Sequence, residues 1–234
     1  MNISVVIPTL GGPELEETIA SLQMSSIIPS EILLCIPSSY ELLFDASLQQ
    51  NIRVIKTDKK GQVYQRITGF LLAKGDFVLQ LDDDVILKKD TLEKLALCLE
   101  GLDNKSSVSS SPHDKETGLS LYQNNSNSLL WSLAYWIMNG KKGFQPGVIS
   151  LSGVNFNLMF QPSKNSINES EWLPGGCVLH RKDNLITSDY YPLKGKAYTE
   201  DLIHSILLRK NGISLYVFEE AISYTDCPYG VNTI

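Results

Sequence analysis

The first hundred residues switch repeatedly between two hydrophobic periods. Ile3–Ile7 is a short apolar run of strand length, and Gly12-Pro13-Glu14 then opens a segment in which Leu15, Ile19 and Leu22 recur at helical spacing, with Pro in the first turn beside acidic residues. Glu31–Ile36 reads as a second strand, Tyr40–Gln49 as a helix, Ile52–Ile55 as a strand, Gly61–Ala73 as a helix and Phe77–Leu81 as a fourth strand. Such alternation predicts an α/β fold, with a Rossmann-like, mainly parallel sheet flanked by helices and right-handed crossovers. Asp90-Thr-Leu-Glu93 has the form of a capping box for the next helix. After Glu100 the pattern breaks. Residues 103–128 are rich in Ser and Asn and predict loops with short strands, which sets a boundary near Gly101 between two halves, 1–100 and 101–234, of one compact domain.

Sheets of this kind bind ligands beyond the carboxyl ends of their strands. LQLDDDVILKKDTLE, Leu79–Glu93, puts three consecutive carboxylates, Asp82, Asp83 and Asp84, at such an end. A solvated turn ahead of a helix explains one aspartate better than three. A calcium loop fails, because Ile86 and Leu87 stand where the template needs an oxygen ligand and a glycine. A divalent cation held by one or two carboxylates and completed by substrate phosphates suits the residue types and offsets their mutual repulsion.

Charge narrows the partners. The net charge of −6 comes wholly from residues 1–52, which hold six acids and no Lys or Arg, and this excludes a phosphate-neutralising nucleic-acid surface. Cys35, Cys98, Cys177 and Cys227 are widely spaced, which argues against a disulfide scaffold or zinc site and for a reducing compartment. MNISVVIPTL lacks a basic region and reads as a strand rather than a leader. The Asn-x-Ser matches at Asn104, Asn124 and Asn168 therefore carry little weight.

Four segments in order, VVIPTLGG (Val5–Gly12), Lys60–Asp84, WLPGGCVLHR (Trp172–Arg181) and TEDLIHSILLRKNG (Thr199–Gly212), resemble the family 2 glycosyltransferases of the GT-A fold over nearly the whole chain. The resemblance implies a metal-dependent, inverting transferase that moves a sugar from a nucleotide diphosphate, with UDP the favoured nucleotide, to a saccharide or lipid-linked saccharide, as in bacterial surface polysaccharide assembly. It implies that Pro8 and Thr9 border the nucleotide, that Arg66 approaches the nucleobase or phosphates, that Asp82 and Asp83 contact the nucleotide sugar, and that Asp84, with Asp82, binds Mn²⁺ or Mg²⁺. Asp201 is then the expected base, since an alcohol attacks well only as its proton leaves. Glu200 would bind the acceptor, although both acids also suit simple helix capping. Gly175 and Gly176 read as a tight turn or as a close approach to a sugar, with Trp172 offering a ring face; the resemblance favours the second.

Two family features are missing. CIPSSYE, Cys35–Glu41, holds Ser38 and Ser39 where an acid usually reads the base, and AISYTDCP, Ala221–Pro228, has no histidine, leaving Asp226 as a substitute metal ligand. His113, His180 and His204 read as structural or solvated. These gaps keep two alternatives open, a catalytically silent nucleotide-sugar or glycan-binding module and a sugar nucleotidyltransferase. Against the latter, GGPELEE, Gly11–Glu17, has no basic residue after its glycines. The expected location is cytoplasmic. LLWSLAYWIM, Leu129–Met138, is too short to span a bilayer and reads first as a buried helix, second as an interfacial one on the inner membrane face, since two lysines follow its tryptophans.

Overall fold

The structure is a computed structural model that describes residues 2–44, 50–122, 129–158, 166–192 and 199–226. In chain order the elements are β1 (Ile3–Pro8), α1 (Glu14–Gln23), β2 (Glu31–Pro37), β3 (Ile52–Thr57), α2 (Gln62–Leu72), β4 (Phe77–Leu81), β5 (Ile86–Leu87), α3 (Thr91–Gly101), β6 (Ser106–Asp114), α4 (Leu129–Asn139), β7 (Ile167–Ser170), β8 (Cys177–Arg181), α5 (Glu200–Lys210) and β9 (Ser214–Thr225). The strands form one mixed sheet in the order β3-β2-β1-β4-β8-β6-β9-β5, with β7 pairing β9 to the side. The first four of these neighbours are parallel, and β8 enters antiparallel between β4 and β6.

Burial on both faces explains the sequence of the parallel strands. Every residue of β1, β2 and β4 is buried, because α1 and α3 cover one side and α2 the other. On the α2 side the packing is close enough to dictate a glycine: a Cβ on Gly69 would lie 2.3 Å from Val6 and 2.8 Å from Cys35.

Three expectations are corrected. Tyr40–Phe44 is irregular, ending in a bend, rather than helix, and residues 45–49 lie outside the described residues. The capping box at α3 does not form: Asp90 makes no cap hydrogen bond but pairs with Lys94 at 2.9 Å, and Glu93 accepts from Ser26 instead. The first part of the Ser-rich stretch is one long strand rather than loop with short strands, and residues 123–128 lie outside the described residues. SSVSSSPHD is a nine-residue strand, buried except at His113 and placed deep in the sheet. Three of its hydroxyls find partners there: Ser109 donates to the carbonyls of Pro174 and Cys177, Ser107 bonds His180, and Ser110 bonds Ser223, whereas the buried hydroxyl of Ser106 has none among the described residues. Pro112 is tolerated because the pairing with β8 ends at Ser109.

His180 and His204 are buried neighbours, 5.6 Å between ring centroids, and Tyr190 stacks on His204. Burial, then the charges of His204 and Arg66, holds His180 well below the ordinary 6.5, and burial with Arg66 takes His204 to about 3. Both rings fold neutral. Stability that is fully present above pH 6.5 should therefore drain away as pH falls, because the unfolded chain binds protons that these imidazoles refuse. The slope is about 1.4 kcal/mol per pH unit for each ring while the unfolded form alone is protonated. Urea midpoints measured from neutral pH downward check this, and a flat profile would contradict it.

Candidate active site

Two cavities open at the carboxyl end of β4, and Asp82 and Asp84 line both. The larger, about 690 Å³, is walled by Pro8, Thr9 and Gly12 after β1, by Lys60–Gln62 before α2, and by all three aspartates. The smaller, about 230 Å³, lies between Asp82 and Asp84 on one side and Gly175, Gly176 and Asp201 on the other, over a floor of Ser109, Ser110 and Ser223. Asp84 and Asp201, more than a hundred positions apart, therefore share one space.

Backbone contacts assemble this space. The Asp82 N–H donates to the carbonyl of Gly176 at 2.9 Å and the Gln80 amide to that of Gly175 at 2.6 Å, which clamps the turn before β8 onto the end of β4. Leu173 N–H donates to Ser205 Oγ, which itself donates to the Asp201 carbonyl, so α5 is fastened to the same turn. A side chain at Gly175 would crowd this joint. A Cβ would stand 3.0 Å from that of Asp201. On the other side Thr9 donates its hydroxyl to Asp83, and Gln65 spans the carbonyls of Thr9 and Cys35.

Arg66 lies deeper than the sequence suggested. Its side chain is 1% exposed and forms ion pairs with Glu200 and, at 2.9 Å, with Asp82. It is thus paired with two protein carboxylates. Glu200, 4% exposed, also accepts the Tyr190 hydroxyl at 2.6 Å, so its carboxylate is taken up inside the protein and is absent from the lining of either cavity. Just before it, Thr199 adopts φ 57°, a left-handed conformation that costs a β-branched residue energy and that marks the entry to α5 as over-determined by its surroundings.

The acids respond to this setting. Burial, with the charges of Glu200 and Asp84, lifts Asp82 to about 6 against the pull of Arg66 and Gln62; its side chain is 26% exposed, so water in the cavity moderates the lift. Asp83 is raised chiefly by burial and held back by the Thr9 hydrogen bond. Asp201 is raised by burial and by Glu200's charge, more than its own and Gly175's backbone N–H groups lower it. A helix N-terminus alone would favour the ionised form; burial outweighs it here.

A divalent cation fits this donor set. Asp82 Oδ1 is occupied by Gln62 and Arg66, whereas Oδ2 faces Gly176, 3.8 Å from where a Cβ would stand. Asp84 is exposed at the junction of the cavities, and its charge is among the causes that raise Asp82. Hard oxygen ligands of this number suit Mg²⁺ or Mn²⁺ completed by phosphates and water. Among the described residues no third His, Cys, Asp or Glu joins them. Asp226 is exposed and lies outside the lining of both cavities.

Other expected residues lie elsewhere. Trp172 is 5% exposed, donates its indole N–H to the Phe156 carbonyl and packs edge-on against Tyr122, so Tyr122 rather than Trp172 borders the smaller cavity. Ser38 gives its hydroxyl to the Thr57 carbonyl. Lys60 was missed: among the described residues it is the cation on the larger cavity, its ammonium bonded to Tyr40 at 2.8 Å. A lysine directly before a helix-opening glycine was the available signal.

Fold and cavity placement define a GT-A type protein, with its acids gathered where a parallel sheet gives out. The chain belongs to glycosyl transferase family 2, whose profile matches residues 4–160. No curated protein matches it by sequence. Among solved structures it is similar to GalNAc-T7 with UDP, GalNAc and Mn²⁺ (16% identity, TM-score 0.71, covering 97% of this chain and 44% of that one). It is also similar to S. aureus TarS 1–349 (17%, 0.59, 98% and 61%) and to the same protein in complex with UDP-GlcNAc (16%, 0.59, 98% and 60%). The chain thus spans about half the length of these structures.

Proposed function

We propose that this protein is a metal-dependent, inverting glycosyltransferase that moves a sugar from a nucleotide diphosphate, with UDP favoured, to a saccharide hydroxyl. The observation that carries the reading is the shared cavity of Asp84 and Asp201, with a larger one beside β1 lined by the same Asp82 and Asp84. The larger cavity receives the nucleotide sugar, with Pro8, Thr9 and Asp83 as its walls and Lys60 beside the diphosphate. The smaller receives the acceptor, against Gly175, Gly176 and the serine floor. Residues 1–100 and 101–234 thereby act as donor and acceptor halves of one domain. The UDP complexes of the structural neighbours support this assignment.

A divalent cation held by Asp84 and Asp82 would act as a Lewis acid on the departing diphosphate. Asp201 accepts the acceptor hydroxyl's proton, and its raised proton affinity suits a general base. Arg66 and Glu200 position the two sides. Each touches an element of the other half, and neither borders the acceptor space.

Slow hydrolysis or transfer of a nucleotide sugar is expected with Mn²⁺, lost on chelation and lost in Asp84→Ala while the fold persists by circular dichroism. Tight binding of the nucleotide sugar without turnover, under every acceptor tried, would favour a silent binding module instead.

A further inference from the structure

Helix α4 is out of place for a folded protein. The sequence favoured a buried helix, yet among its residues Asn139 alone is buried. Tyr135 faces inward, its ring 5.0 Å from Phe144 and 5.5 Å from Phe156. The opposite face is apolar and open: Leu129 is 91% exposed, Leu130 78%, Leu133 55%, Trp136 58% and Ile137 69%. At about 100° per residue these five fall within an arc of roughly 120°, one continuous stripe. Leu151, 78% exposed, lies near the helix end, its N–H bonded to Asn139.

Charge identifies the occupant. The apolar stripe is followed at once by Lys141 and Lys142, both exposed. In a chain of net charge −6, no Asp or Glu occurs anywhere from Thr117 to Asn168, a span that contains three lysines. An apolar stripe with tryptophan, flanked by lysines and free of acids, matches a bilayer surface with anionic headgroups: the stripe enters the acyl boundary and the lysines meet the phosphates. No described helix is long and apolar enough to cross a membrane, so contact through α4 is of the lying-on kind.

We infer that α4 docks this protein onto an anionic lipid surface and so holds the smaller cavity close to the bilayer. The link between the two is short. Tyr135 packs on Phe156, whose carbonyl accepts from Trp172, and Trp172 packs on Tyr122 at the cavity wall. On the transferase reading above, on which this consequence rests, the acceptor is a saccharide carried by a lipid and presented at the membrane.

Flotation with phosphatidylcholine vesicles containing phosphatidylglycerol tests the docking apart from activity. The protein should float with these vesicles, float far less with pure phosphatidylcholine or at high salt, and show a blue shift of tryptophan emission. The variant Leu133→Glu/Trp136→Glu should stay in the soluble fraction with unchanged circular dichroism and unchanged hydrolysis of a soluble nucleotide sugar. Lys141→Glu/Lys142→Glu should weaken binding to the anionic vesicles alone. No flotation of the unaltered protein, or flotation untouched by the apolar substitutions, would overturn the inference. So would sedimentation velocity showing a dimer that Leu133→Glu/Trp136→Glu splits, since a second copy would then cover the stripe. Vesicle binding without any turnover would leave the docking standing and count against the transferase reading alone.

Discussion

Arg66→Met should cost about 3–5 kcal/mol of stability, the penalty for stranding a buried charge when its partner is removed. The guanidinium is 1% exposed and ties Glu200, itself 4% exposed, to Asp82. Methionine fills much of the space but leaves both carboxylates without a cation. Urea denaturation at neutral pH measures the loss. Adding Glu200→Gln to Arg66→Met should restore part of it, because the second change removes the stranded charge, and the cycle isolates their coupling. A loss under about 1 kcal/mol, the worth of an exposed pair, would mean that water reaches the guanidinium. The two variants together also separate positioning from chemistry: if Arg66 acts by holding Asp82 and α5 in register, the doubly neutral protein should regain more stability than turnover.

Asp201→Asn should lower turnover roughly a hundredfold or more, the usual scale of a general base, with nucleotide-sugar affinity little changed. Asparagine keeps the shape of the side chain beside Gly175 and removes its basicity, so the contact that fixes the turn survives. The acidic limb of the unaltered protein's rate profile should lie above the ordinary aspartate range, since burial and Glu200 raise this carboxyl; the base works ionised, and rate is lost as pH drops through that limb. Initial rates at saturating donor across pH measure both. A variant of full activity would remove Asp201 from the role.

How much of this could be read beforehand depended on how local the cause was. The run β1–α1–β2, then β3, α2 and β4, was legible because the fully buried strands β1, β2 and β4 must be apolar throughout, and α1 and α2 carry helical spacing. The placement of Asp82–Asp84 at a strand end followed from the same pattern. The serine strand β6 was not legible. Serine there is chosen by the carbonyls and hydroxyls around it, those of Pro174, Cys177 and Ser223, which are distant in sequence. For the same reason the fates of Arg66 and Trp172 were hidden: one meets Glu200 across 134 positions, the other the carbonyl of Phe156. Composition gave α4 its apolar character, but only tertiary placement revealed which way the apolar face looks.

The floor of hydroxymethyl groups has a consequence for divergence among related chains. Ser109, Ser110 and Ser223 set the depth of the smaller cavity with the least bulk that still carries an oxygen. Threonine, which adds a methyl, or alanine, which removes the oxygen, would alter that depth by about one heavy atom while the backbone ladder of β6 with β9 holds its register. Ser110 and Ser223 share a hydrogen bond, so change at one orphans the other, and these two should vary as a couple whereas Ser109 drifts alone. On the proposed transferase reading, new acceptors can in this way be reached by small steps that leave every carboxylate where it is.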